Sequence, residues 1–352
     1  MTLLTIREVD SRQDLRDFAQ VKEKIYSKTG YPEEDVWEET RNLRVLSQGD
    51  PYRQAAAFIA LQGEEMIGRI AAIVDSRHQS VQEGFFGFFE CIKDQQVARE
   101  LLMTAAEKLK SWGKSVMLGP ISPSTNDKVG IMVEGFDTLP HQNLTYNPPY
   151  YQQLLENCGL TKAMGLLSYL WRHDMPIPNH FFTLEARALK RYDAAIVFQA
   201  KGDLRQETEI LTEVYNESLK NNWGFVPLTP EEARGILRQY RFSPHPELLF
   251  RLDVAGEPAG ICLLQPNTRP GLKPTDPQIR AAVLGLKPQY RNKGLSTLLI
   301  IKAIQIVKEQ GCPTAEISLI MENNRTVRGL IEKTLQCPVL HRYQVYRTEI
   351  ST

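Results

Sequence analysis

Three things are scarce in this sequence: excess charge of either sign, paired cysteines and long apolar runs. Each lack removes a class of function. Lys and Arg number 42 against 42 Asp and Glu, so the formal net charge is zero. No whole-protein field draws nucleic acid, and any phosphate ligand must be held locally. The five cysteines (Cys91, Cys158, Cys262, Cys312 and Cys337) are scattered, odd in number and without a CxxC pair. That pattern predicts reduced thiols in a cytoplasmic protein, not a disulfide frame or a zinc site. The six histidines are equally dispersed, which gives a metal centre no support. His141 and His341 read as surface or satisfied residues. No run approaches the ~18 apolar residues of a membrane span, and the start, "MTLLTIREVDSRQDLRDF", turns charged too early for a secretory signal.

What is present is an alternation of helical and strand signals. The 352 residues suit about two domains of roughly 150 residues each. Residues 12–29 space Leu15, Phe18, Val21 and Ile25 as one apolar stripe. A hairpin over 55–75 turns at Gly63-Glu64-Glu65, and the aromatic "EGFFGFFE" (83–90) is a further strand. A helix over 94–113 has Asp94 to cap it and Gly113 to end it. Strand (114–120), helix (148–159) and strand (163–172) complete the half. The same order returns with a helix over 205–222, a hairpin over 247–266 and a strand over 279–288. Helix (296–311), strand (313–321), helix (324–335) and strand (338–347) follow. Many α/β proteins alternate this way, but two lobes of matching order fit the length better than one large sheet. The proline-bearing "HDMPIPNHFF" (173–182) marks the expected boundary. The expected fold class is α/β (α+β), with two tandem lobes over 1–176 and 177–352. Each lobe is a mixed, mostly antiparallel sheet flanked by helices.

"PQYRNKGLS" (288–296) lies between the strand "AAVLGL" and the helix "STLLIIKAIQIV". Backbone N–H groups at a helix N-terminus, beside a glycine that lets a ligand approach, are where a diphosphate binds. Arg291 and Lys293 add charge, and Ser296 caps the helix or donates a hydroxyl. The competing reading is an ordinary basic turn; the strand before and the helix after favour the cradle.

The stretch "VLGLKPQYRNKGLS" (283–296) resembles the acyl-CoA pyrophosphate loop of the GNAT N-acyltransferase superfamily. The family pattern is Arg or Gln, two residues, Gly, one residue, then Gly or Ala. Arg291, Gly294 and Ser296 stand at those places, Ser296 departing from the last. The resemblance implies that the backbone of Arg291, Asn292, Lys293, Gly294, Leu295 and Ser296 holds the diphosphate. It implies too that the Val283–Leu286 strand splays from its neighbour, so that Leu284 and Leu286 serve the pantetheine arm and acyl carbonyl. In "ENNRTVRGLIEK" (322–333), Asn324 matches the family's cofactor-contacting asparagine, whereas Ile331 stands where many members have a tyrosine acid. The first half has no such loop: "CIKDQQVA" follows its aromatic strand without a glycine, which predicts a degenerate lobe serving the acceptor side. "GFFGFFE" (84–90), "GPISPSTNDKVGIMVEGFD" (119–137), "YNPPYY" (146–151) and "NNWGFVPLT" (221–229) resemble a bacterial group of two-lobed GNAT-like proteins, mostly uncharacterised N-acetyltransferases. Some of that group are associated with long-chain or sphingoid-base N-acylation, which implies a donor that can exceed acetyl.

Amine acylation needs a base for the ammonium proton and an acid or dipole at the leaving thiolate. Asp127 and Glu134 are candidate bases, with Asn126, Tyr146 and Tyr150 as orienters or acids; Glu90 is a weaker base candidate. Residues of these types also build turns and caps through local hydrogen bonds, and both readings stand. Trp223 and Phe225 in "NNWGFVPLT" either wall an acyl tunnel or pack lobe against lobe. The expected activity is transfer of an acyl group from acyl-CoA, or from acyl carrier protein, to a small-molecule or lipid amine by direct attack. A non-catalytic acyl-CoA-binding module and an aminoacyl-tRNA-dependent transferase are the alternatives; zero net charge weighs against the second.

Overall fold

The computed structural model describes residues 3–27, 50–269, 271–273 and 275–350. In chain order the first part holds β1 (Leu4–Glu8), α1 (Arg12–Tyr26), β2 (Arg53–Gln62), β3 (Glu65–Asp75), β4 (Glu83–Cys91) and α2 (Gln95–Ser111). Then come β5 (Val116–Gly119), β6 (Ile121–Ser122), β7 (Lys128–Val129), β8 (Ile131–Glu134), α3 (Tyr151–Asn157) and β9 (Thr161–Arg172). The second part holds α4 (Asn179–Tyr192), β10 (Ala194–Phe198), α5 (Leu204–Leu219), α6 (Pro230–Arg241), β11 (Leu249–Val254), β12 (Glu257–Pro266) and β13 (Ile279–Leu286). It ends with α7 (Ser296–Glu309), β14 (Thr314–Met321), α8 (Arg325–Gly329) and β15 (Val339–Glu349).

Local chemistry explains most boundaries. The expected helix over 12–29 runs from Arg12 to Tyr26, opened by a capping box in which Ser11 and Asp14 each accept from the other's backbone; residues 28 and 29 lie outside the described residues. Asp94 accepts from Gln96 and Val97 N–H and starts α2. The second hairpin turns through Ala255 and Gly256, both at positive φ, as a two-residue loop between twisted strands demands. The expected helix over 148–159 is shorter, and its prolines precede it: Tyr151 N–H bonds back to Pro148 O.

The chain forms two compact units, Met1–Leu166 with His341–Thr352, and Leu167–Leu340. In the first, strands run β1-β2-β3-β4-β5-β15; every neighbouring pair is antiparallel except β4 with β5. In the second, β10, β11, β12 and β13 form antiparallel neighbours and β14 joins β13 in parallel. The halves expected from the signal order differ from these units in two places. β9 passes from one unit to the other at Leu166–Leu167, and β15, grouped by order with the second half, pairs with β5 from Tyr346↔Gly119 to Glu349↔Val116. Alternating apolar residues announce a strand but carry no label for its distant partner.

Each unit has its own core. In the first, Phe58, Ile70, Phe86, Leu101, Leu102 and Leu155 are buried between sheet and helices. In the second, Phe250, Ile261, Leu299, Ile301 and Leu211 do the same.

Candidate active site

The second unit builds its site at the end of β13. The β13–β14 ladder holds only Ile279↔Ala315, Arg280↔Glu316 and Ala281↔Ile317, although both strands continue. On the other side the β12 register shifts between Leu263 and Leu264, so Ala282 is an extra residue opposite β12. A bulge bends its strand and ends pairing, and here it leaves β13 parted from β14 from Ala282 onward. Leu284, within that stretch, is 39% exposed. Gly285 lets α5 approach: a Cβ there would sit 2.8 Å from Ser218 Cβ. Ser218 Oγ is buried with no hydrogen-bond partner.

After β13 comes one tight turn, Pro288–Tyr290, then the loop to α7. Asn292 (φ 59°) and Gly294 (φ 77°) both take the left-handed conformation, which turns successive amides toward one side. Arg291 departs from the expected role as a charge facing phosphate. Its Nε donates to Leu286 O (3.1 Å) and a terminal nitrogen to Ser218 O (2.8 Å), so the guanidinium ties the loop to β13 and α5. Lys293 is exposed, 5.8 Å from the centre of the Tyr290 ring. Ser296 occupies the first turn of α7 and makes no capping bond. Among the described residues, the N–H groups of Asn292, Lys293, Gly294, Leu295 and Ser296 donate to no protein group; Thr297 and Leu298 bond back to Gly294 O and Leu295 O. Unlike α2, with its Asp94 carboxylate, α7 has a bare positive end. Free amides, an unpartnered buried hydroxyl and a strand gap together fit a phosphate-bearing pantetheine arm.

Asn324 caps α8, its Oδ1 accepting from Val327 N (3.2 Å). Ile331, where the acid tyrosine was sought, is buried at 3%. A tyrosine reaches the same helical segment from elsewhere: Tyr169 OH, on β9, donates to Glu332 Oε1 (2.6 Å), which also accepts from Arg328 Nε (3.0 Å). Burial and that carboxylate push the Tyr169 phenol up to about 12. No local pattern in 163–172 signals this pairing, because partner and tyrosine are 163 positions apart.

The polar loop of the first unit brings some of its candidates together and separates others. Asp127 Oδ2 accepts from Ser124 Oγ (2.9 Å), and Asn126 N–H donates to the same hydroxyl (3.1 Å). Glu134 pairs with Arg342 of β15 (2.8 Å), both side chains exposed. The Tyr146 ring packs 6.0 Å from Tyr26 and 6.4 Å from Phe136, and burial raises its phenol. Tyr150 OH donates to Cys91 O (2.8 Å). Glu90 is buried, accepts from Tyr151 OH (2.8 Å) and faces Arg69 and Lys22 at 3.5 and 3.8 Å. Of the two readings of His141 and His341, surface or satisfied, burial removes the first, and His141 Nδ1 accepts from Asn143 N–H (3.2 Å). His141 and His341 are fully buried, and His341 bonds through Nδ1 to Gly135 O while Nε2 has no partner.

All five thiols are pushed up, chiefly by burial, Cys337 to about 11. None is an activated thiolate. Among the described residues no three His, Cys, Asp or Glu side chains gather as metal ligands, and no helix is long and apolar enough to cross a membrane.

Residues 209–335, which contain the strand gap and the loop, match the family model described as Acetyltransferase (GNAT) family. The chain is similar to Protein YghO of Escherichia coli (strain K12), at 23% identity across 98% of this chain and 95% of that one. It is similar also to a Bacterial ceramide synthase of Caulobacter vibrioides, at 27% identity across 79% and 71%. Among solved structures, a tandem GNAT protein from the clavulanic acid biosynthesis pathway shares the fold at a TM-score of 0.61 and 11% identity, covering 99% of each chain. A GCN5-related N-acetyltransferase from Sphaerobacter thermophilus does so at 0.59 and 14%, covering 99% and 96%.

Proposed function

We propose that this chain, whose residues 209–335 match the GNAT acetyltransferase family and whose fold is that of a tandem GNAT protein, moves an acyl group from acyl-CoA, or from an acyl carrier protein, to an amine. The observation that carries this reading is the parting of β13 from β14 beside an uncapped α7. A pantetheine arm laid in that gap finds the backbone of Val283 to Leu286, and its phosphate finds the amides of Asn292 to Ser296. Leu284 and Leu286 are then the strand contacts, and Asn324, whose Oδ1 caps α8, has its Nδ2 to donate to the ligand.

Transfer proceeds by direct attack. The neutral amine forms the C–N bond, the tetrahedral oxyanion collapses, and the C–S bond breaks to release thiolate. Raised thiol pKa values throughout the chain support this over an acyl-enzyme route. Asp127, Glu134, Asn126 and Tyr146 are the acceptor-side candidates, and Tyr169 joins them as a proton donor for the thiolate because its hydroxyl reaches Glu332, next to Ile331. The likeness to a protein named a ceramide synthase supports a lipid amine as acceptor and an acyl chain longer than acetyl. A non-catalytic acyl-CoA-binding module is the second reading, favoured by the buried Ile331 in the place of the tyrosine.

The test is calorimetry of CoA binding to Gly294→Asp and Gly294→Asn. Asn tolerates the positive φ that Gly294 adopts, so their difference isolates charge. Gly294→Asp should abolish binding and Gly294→Asn should weaken it modestly, with both Tm values near wild type. Unchanged affinity in the Asp variant would sink the loop assignment. A thermal-shift series from acetyl- to palmitoyl-CoA then reads chain length, a rise with each added carbon indicating a lipid-sized tunnel.

A further inference from the structure

Helix α4 packs Phe181 and Ala188 into the core of the second unit but leaves Phe182 (45%) and Leu189 (47%) exposed. Those two, with exposed Ala186, lie at i, i+4 and i+7 on one stripe. Beside it runs a second row, Leu184, Arg187 and Arg191, at i, i+3 and i+7. Leu184 Cδ2 lies 3.7 Å from where a Cβ on Gly294 would stand, so this row starts at the phosphate loop. Over 179–192 three cations, Arg187, Lys190 and Arg191, face one carboxylate, Glu185, in a chain of zero net charge. Among the described residues none of the three cations, nor Lys293 in the loop, has an ion-pair partner; Arg191 and Lys293 lie over tyrosine rings.

An apolar stripe flanked by unpaired cations, touching the loop that holds the donor's phosphate, is complementary to an acidic helical protein that presents its thioester on a phosphopantetheine arm. We propose that α4 and the loop over 291–296 form the docking surface for an acyl carrier protein, which makes a carrier-bound acyl chain a donor. This rests on the acyltransferase reading and names the partner of its donor site. The apolar stripe has only two large side chains, too few for stable burial in a bilayer, and the three cations fall within the last six residues of the helix, beyond the Leu184 contact with the loop. Both features favour the carrier.

The experiment titrates the full chain into a labelled decanoyl carrier protein by fluorescence anisotropy, and into decanoyl-CoA by calorimetry. Wild type should bind the carrier, more weakly as salt rises. The triple variant Arg187→Glu, Lys190→Glu, Arg191→Glu should lose at least ~10-fold in carrier affinity while CoA affinity stays within ~2-fold. Equal loss for both ligands would overturn the proposal, since the cations would then hold the nucleotide. So would undiminished carrier binding, or cation-dependent capture by phosphatidylglycerol vesicles with no carrier binding. Wild type that binds decanoyl-CoA but not the carrier overturns docking alone; wild type that binds neither overturns the donor reading itself.

Discussion

Asp127 and Glu134 look interchangeable in the sequence, and their surroundings separate them. A catalytic base needs a third group to orient it; Asp127 has the Ser124 hydroxyl at 2.9 Å, whereas Glu134 is engaged by Arg342. Asp127→Asn should therefore lower kcat by about 10²–10⁴-fold with coenzyme affinity unchanged, and Glu134→Gln should leave kcat within a few-fold. Steady-state kinetics beside calorimetry checks this; a lower Tm with intact turnover in Asp127→Asn would reduce the cluster to a turn. His341 supplies a pH effect of known sign. Burial pulls it down from 6.5 to about 4 in the fold, opposed by its bond to Gly135 and by Asp137. The unfolded chain thus takes up a proton near 6.5 that the folded chain refuses until about 4. Stability from this residue is full above the unfolded value and falls as pH drops through that window, by up to about 3 kcal/mol. Urea midpoints at pH 7 and pH 5 should show the loss, and His341→Gln should flatten it.

At the level of elements, the sequence was legible where chemistry is local. Asp94, Gly63 and Gly256 mark a cap and two turns that the structure contains. Elements that escaped include β1 and β10, each only five residues long; the short β6, β7 and β8; α4, which begins inside the proline-bearing stretch read as a boundary; and α6, opened by Pro230 after the Thr229 cap. The bulge at Ala282 was beyond reading, since it depends on the register with β12. The loop over 288–296 was legible as a turn between strand and helix because its glycine and basic residues are contiguous. Tyr169 was not, because only folding brings it to Glu332. One cap gives an elemental test. Asp94→Ala removes two acceptor contacts from the start of α2 and should cost about 1 kcal/mol, read as a lower Tm. No change would mean that packing of Leu101 and Ala105 alone holds the helix.

The whole chain carries two lobes of one fold, and the strand order of the first can be set beside that of the second. In the first, the β4–β5 ladder runs from Glu83↔Val116 to Phe85↔Leu118, and unlike β14, which continues past its ladder, β5 ends at Gly119 and leads into β6. The register of β4 with β3 also shifts, between Arg69 and Ala71. Where a pantetheine arm would lie, β6 intrudes. A Cβ on Gly87 would meet Ile121 O at 2.1 Å, and Phe88 N–H donates to Ser122 Oγ at 2.7 Å. Where a phosphate would meet the helix, the Asp94 carboxylate already accepts from Gln96 and Val97. A second anion there would face a fixed negative charge with both amides taken. Calorimetry with CoA should therefore give one site per chain, and Gly294→Asp should take that number to zero. Two sites in wild type, or one remaining in the variant, would show that the first unit opens for a coenzyme despite β6 and Asp94. A single site assigns donor binding to the second unit alone and leaves the first free for the acceptor.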